Sequence, residues 1–293
     1  MSYFEFSFPT DQFDLERCVS SGQVFRWTQT ADAGWLGIDG AQWYRVSSSE
    51  TGTLKVETNG TEEDFRRLFR LDWKADEIRR AILLRGAELE PYLGSLAGLR
   101  LMAPSDPVET FFSFLCTPNN NIARITTMVN ALAAYGEPLV GGLRRFPEVE
   151  TIAEIPEADL RTQKFGYRGA TIPRAAAELS DRGGRSYLEG LKTATYEEAH
   201  EALISFPGIG PKLADCIALF ALHHTEVIPV DTHIWQAATR LYFPEWQGAA
   251  LTDLKYKTVS AHLRERFGEY GGWTQQYLFY DSVLNWRSRQ RSE

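Results

Sequence analysis

Phe4, Phe6 and Phe8 alternate with polar neighbours, the period-two pattern of a half-buried strand. Short strand candidates follow at Val24–Trp27, Trp35–Ile38, Gln42–Val46 and Thr53–Glu57. Ala31-Asp32-Ala33-Gly34, Asp39-Gly40 and Glu50-Thr51-Gly52 separate them as turn signals, which predicts an antiparallel meander. From Thr61 the period changes. Thr61 with Asp64 has the form of a helix cap, and Phe65, Leu68 and Phe69 recur at helical spacing. Beyond Pro104 nearly every segment reads as helix. One begins at Ser105 or Asp106 and carries Val108, Phe111, Phe112 and Leu115 up to Pro118; another runs Ile122–Tyr135. Later helices start near Pro156, Tyr167, Thr195, Lys212, Asp231, Thr252 and Gly272. The expected fold is therefore α+β. An N-terminal antiparallel β-sheet domain with flanking helices, residues 1–103, precedes a mainly helical domain, residues 104–293, with the boundary near Gly98–Pro104.

Composition narrows the class without changing that picture. With 43% hydrophobic and 13% aromatic residues over 293 positions, the chain is an ordinary globular protein. It has no apolar run of membrane-spanning length, so it is expected to be soluble and intracellular: cytoplasm or nucleoid, or nucleus if eukaryotic. Cys18, Cys116 and Cys216 lie far apart, which gives no disulfide framework. The only close histidine pair is the adjacent His223 and His224, so neither a metal site nor an iron–sulfur cluster is expected. A net charge of −8 disfavours a broad phosphate-binding surface but leaves room for a local one built from a few arginines, backbone N–H groups and helix ends.

The densest chemistry lies between Phe206 and Asp231. Ala199, Leu203 and Ile204 mark one amphipathic helix, and Leu213, Ile217 and Phe220 mark the next, so two helices meet at Pro207-Gly208-Ile209-Gly210. Glycines at 208 and 210 permit positive φ and leave N–H groups uncovered for a phosphate, although a plain structural turn fits the same residues. Lys212 opens the second helix. The positive helix end and partial burial both push its amine toward the neutral, nucleophilic form, while a solvated surface lysine is the bland alternative. Asp231 reads as the N-cap of the helix Thr232–Leu241, and a carboxylate there can also face a developing positive charge.

Phe206-Pro-Gly-Ile-Gly-Pro-Lys-Leu-Ala-Asp-Cys216 together with Pro229-Val-Asp-Thr-His233 resembles the helix–hairpin–helix base-excision glycosylases, and within them the 8-oxoguanine DNA glycosylase family. Ser21-Gly-Gln-Val-Phe-Arg-Trp27, Asn119-Asn-Asn-Ile-Ala-Arg124, Gly166-Tyr-Arg168 and Gly272-Trp-Thr-Gln-Gln-Tyr-Leu-Phe279 match that family's motifs in the same order, so the similarity extends over nearly the whole chain. The resemblance implies a bifunctional glycosylase and abasic-site lyase that excises 8-oxoguanine opposite cytosine, with Lys212 as nucleophile and Asp231 as electrostatic partner. It implies a lesion pocket of Gly22, Cys216, Gln275 and Phe279, and recognition of the orphaned cytosine by Asn119, Arg124 and Arg168. Gly208, Gly210 and His233 would contact DNA phosphates. Double-stranded DNA would be the partner of a monomer, with no cofactor and no metal.

Three features stay open at this level. By residue type alone, Asn119 is equally a helix cap, the arginines are surface ion pairs and Cys216 is a core thiol. The family carries an acid three positions after the phenylalanine, where this chain has Ser282, with Asp281 one position earlier, so the support of His233 is undetermined. A monofunctional alkylated-base glycosylase that uses the aspartate and water, or a noncatalytic DNA-binding module, are the rival functions.

Overall fold

The computed structural model describes residues 1–48 and 53–292, with side chains up to residue 285. The Glu50-Thr51-Gly52 turn lies outside the described residues. Five antiparallel strands form one sheet: β1 Ser2–Phe6, β2 Thr28–Gln29, β3 Trp35–Asp39, β4 Gln42–Ser48 and β5 Leu54–Thr58, in the order β1-β5-β4-β3-β2. Strands β3 to β5 are the last three strands of the expected meander, and the two-residue β2 lies just beyond the predicted Val24–Trp27. The first strand closes on its far edge, pairing Ser2 with Thr58 through to Phe6 with Leu54.

One expected strand is absent. Residues 24–27 form an irregular run, because Phe25, Arg26 and Trp27 are buried consecutively rather than on alternate sides. Arg26 is held inside by Glu109 at 2.8 Å, a partner 83 positions away that no local pattern reveals. Trp27 lies flat on β3, where a Cβ at Gly37 would come within 2.0 Å of its ring. A short helix, Leu15–Ser20, precedes this run and is capped by Asp14, which accepts from Arg17 N at 3.0 Å.

The sheet packs on the helix Glu62–Leu68, which starts with a reciprocal capping box between Thr61 and Asp64. Fully buried Phe65 sits at the centre, with Phe6, Phe13, Tyr44 and Phe69 around its ring. The helices after Pro104 enclose a second, larger core, and Ile78, Ile82 and Leu93 from the preceding helices Ala75–Arg85 and Glu90–Ser95 join it. The connection between the cores is pinned. Leu101 enters the larger core and the next residue, Met102, enters the smaller one, while Ala103 N donates to Leu68 O at 2.7 Å.

Asp39 at the end of β3 accepts from Ser105 N at 2.6 Å, and Asp106 caps the helix Pro107–Leu115 and pairs with Arg185. Burial pushes the Asp39 carboxyl up to about 6, against the pull of Ser105 N and Arg67. A carboxyl whose folded value exceeds its unfolded one binds its proton more tightly in the native state, so it favours folding at low pH and loses that contribution as pH rises from about 4 through 6. Replacing Asp39 by Asn should flatten melting temperature against pH over that window. The wild-type slope assigned to this group is at most one proton, about 1.4 kcal/mol per pH unit.

Candidate active site

The two helices of the hairpin are Tyr196–Ile204 and Pro211–Phe220. Thr195 and Glu198 close a capping box on the first; the second opens with Gly210 as N-cap, no capping side chain, and proline in its first turn. The first-turn N–H groups therefore face outward without an internal acceptor. Gly208 has φ +80°, and a Cβ there would strike Thr171 Cγ2 at 2.4 Å, so only glycine lets the turn press on the helix Arg168–Asp181. Gly210 departs from the positive-φ expectation. Its backbone is extended, φ −100° and ψ 179°, and an added Cβ would meet nothing within 4 Å. What Gly210 leaves open is space above the helix end.

Lys212 is half-buried in the first turn, with Cys216 one turn on along the same helix. Burial pulls this amine down, but Cys216 and Asp231 outweigh it and the net shift is upward. The expectation of a neutral lysine is thus overturned, because Cys216 first and Asp231 next together outweigh desolvation. Burial in turn pushes the Cys216 thiol up to about 11. Asp231 caps the helix Thr232–Leu241, with Oδ1 accepting from Ile234 N at 2.8 Å.

Gly22 and Phe279 are brought together from opposite ends of the chain. Gly22 has φ +80°, and an added Cβ would lie 3.5 Å from Phe279 Cε1 and 3.4 Å from Ile122 Cδ1. Its loop is stitched on either side: Gln276 Nε2 donates to Ser21 O at 3.0 Å, and Gln23 joins Ser21 Oγ, Arg100 O and Met102 N. Gln275 is 5% exposed, and its Oε1 has no hydrogen-bond partner among the described residues. A buried acceptor left open in this way suits a ligand donor. His233 presents its ring to the edge of Phe279, with centroids 5.5 Å apart, and its Nδ1 is 2.7 Å from Ser282 Oγ. Ser282 itself fills the place of the missing acid. Asp281 turns instead to Ser95 and Asn285.

A second cluster lies beside the first. Among three consecutive asparagines, Asn121 caps the helix Ile122–Ala133, Asn120 donates to Cys116 O, and Asn119 stands exposed in the left-handed region at φ +50°. The capping alternative for Asn119 is therefore removed. Arg168 reaches Pro118 O, stacks on Tyr167 at 4.6 Å, and keeps a buried Nε without a partner. Exposed Arg124 donates to Lys164 O at 3.0 Å, so the asparagine loop and the 164–168 turn form one surface. Tyr167, 55% exposed beside these groups, carried no individual signal in the sequence. Neither did Gln276, Asp215 or Tyr256, whose roles depend on distant partners. Among the described residues no group of three histidine, cysteine or acidic side chains is placed to hold a metal ion, and no helix is long and apolar enough to cross a membrane.

Residues 112–266 match the family described as HhH-GPD superfamily base excision DNA repair protein. Residues 5–111 match the 8-oxoguanine DNA glycosylase N-terminal domain. The chain belongs to the HhH-GPD superfamily. This HhH-GPD protein is 34% identical over 290 residues to the N-glycosylase/DNA lyase OGG1 of Arabidopsis thaliana, covering 94% of the chain and 79% of that relative. Among solved structures it resembles the 8-oxoguanine glycosylase/lyase of Clostridium acetobutylicum in complex with double-stranded DNA containing cytosine opposite 8-oxoG. That likeness has a TM-score of 0.80 and 28% identity over 93% of this chain and 92% of that one. MBOgg1 in complex with a low-affinity DNA ligand gives a TM-score of 0.82 at 25% identity, covering 97% and 99%.

Because Lys212 ionises above the ordinary lysine value of 10.5, the rate of borohydride-trappable imine formation on abasic DNA should still be rising with pH at 10.5. The Asp231→Asn variant, relieved of that charge, should begin to level off at lower pH. Levelling at an unshifted pH would mean that the carboxylate does not set the amine's ionisation.

Proposed function

We propose that the protein is a base-excision repair enzyme, a bifunctional DNA glycosylase and abasic-site lyase that flips out and removes 8-oxoguanine paired with cytosine. One observation carries the reading: a half-buried lysine amine in the first turn of the hairpin's second helix, whose ionisation is influenced by Cys216 and Asp231. The family match and the double-stranded DNA complex of the Clostridium acetobutylicum relative support the substrate class. In this reading the partner is duplex DNA, acted on by a monomer inside the cell without cofactor or metal.

In the reaction Lys212 Nζ, after giving up a proton to solvent, attacks C1′ as the N-glycosidic bond breaks and the base leaves with the bonding pair. The Asp231 carboxylate offsets the positive charge that develops on the sugar. Opening of the C1′–O4′ bond, with the ring oxygen taking up a proton, gives the Schiff base, which acidifies C2′–H; loss of that proton expels the 3′ phosphate and cuts the strand. Gly22, Cys216, Gln275 and Phe279 form the lesion pocket. The Gly22 carbonyl accepts from N7–H, which 8-oxoguanine has and guanine lacks, a difference of about 1–3 kcal/mol. Gln275 Oε1, already buried and open, accepts from the pairing edge, and Phe279 and Cys216 cover the two faces. Asn119, Arg124 and Arg168 meet the orphaned cytosine with amide and guanidinium groups that match its two acceptors and one donor. Tyr167 fills the stack beside them, as exposed aromatic wedges do. Gly208, Gly210 and His233 hold the backbone phosphates.

Lys212→Gln separates this reading from a binding module and from a water-activating glycosylase. Duplex affinity should stay within about threefold, while single-turnover release of 8-oxoguanine falls on the order of 10³-fold or more and the borohydride adduct disappears. Unchanged release would overturn the mechanism. Asn119→Ala should lower the preference for cytosine over adenine opposite the lesion by roughly 5- to 100-fold, the range of a good base contact.

A further inference from the structure

We propose that Tyr256, locked by Asp215, is a positioning residue that sets the spacing between Lys212 and Asp231. This rests on the reading that those two side chains react with the sugar. Lys212 lies on the helix Pro211–Phe220, and Asp231 lies beyond an irregular segment that leaves that helix. Asp215, one turn after Lys212 and fully buried, accepts from Tyr256 OH through Oδ2 at 2.5 Å. Tyr256 belongs to the helix Asp253–Phe267 and is 8% exposed. The same phenol oxygen accepts from Val230 N at 3.5 Å, and Val230 is the residue before Asp231. One hydroxyl thus links the lysine helix to the aspartate segment.

Its polarity is fixed. A phenol has a single proton; given to Asp215, it leaves only lone pairs for the Val230 amide. The carboxylate cannot turn away, because Oδ1 is occupied by Tyr196 OH and His200 Nδ1, each at 2.8 Å. Burial and the Asp215 charge hold the phenol's ionisation well above the ordinary tyrosine value, so it remains a donor at every pH at which the protein works. The Val230 amide is buried, and no water can replace the bond without opening the core.

Two reacting groups held on separate segments lose rate steeply with displacement, about 10²-fold for 1 Å. Tyr256→Phe keeps the ring and removes the link. Single-turnover excision should fall about tenfold or more, with duplex affinity within about twofold. In the Asp231→Asn background the same substitution should cost less than about twofold, because the spacing it sets no longer matters. Tyr196→Phe, which leaves the same carboxylate but does not touch Val230, controls for lost packing and should show no such dependence on Asp231. Should Tyr256→Phe fail to fold, Tyr256→Met, which likewise lacks the hydroxyl, carries the same cycle. A wild-type rate in Tyr256→Phe, or an equal loss in both backgrounds, overturns the proposal. An absent borohydride adduct in the wild type would instead overturn the assigned chemistry.

Discussion

The active site depends on a conflict over one proton. Lys212 must be an ammonium to sit beside Asp231 in a half-buried pocket, and a free amine to attack a sugar. Burial favours the amine; Cys216 and Asp231 together favour the ammonium and prevail. In the proposed mechanism Lys212 therefore starts as an ammonium and must lose a proton before it attacks. A charged lysine beside a turn of uncovered N–H groups is also suited to a phosphate backbone.

Holding that pair in place engages both halves of the molecule. Gly22 comes from the sheet-bearing half, Phe279 and Gln275 from the long C-terminal helix, and the nucleophile from the hairpin between them. The halves cannot drift independently, because Leu101 and Met102 enter different cores and Gln23 and Gln276 tie the Gly22 loop to its neighbours. A pocket split in this way is only as ordered as the seam, which explains why buried charges such as Arg26 with Glu109 and Asp106 with Arg185 are concentrated there.

What was legible in the sequence was governed by local physics. Alternating phenylalanines gave the first strand, the Thr61–Asp64 and Asp106–Pro107 pairs gave helix starts, and the Gly208 turn followed from residue type. Apart from the extended backbone of Gly210, the departures come from long-range partners. Val24–Trp27 is not a strand because Arg26 is drawn inward by Glu109. The Lys212 shift runs upward because Cys216, and Asp231 19 positions on, outweigh desolvation. The ordered motifs identified the family, yet the exchange of an acid for Ser282 beside His233 could be resolved only when the 2.7 Å contact was seen. Asp215 and Tyr256 had no signal at all, since neither spacing nor composition marks a hydroxyl that joins three segments.

The most direct measurement is to identify the atom that bonds to DNA. The protein is reduced with borohydride on an 8-oxoguanine duplex and digested, and the peptide that carries the sugar remnant is sequenced by mass spectrometry. Attachment at Lys212, within the segment 206–216, is the expected result. Attachment at the N-terminal amine or at another lysine would contradict it, and the electrostatic pairing of Lys212 with Asp231 would then need a different purpose.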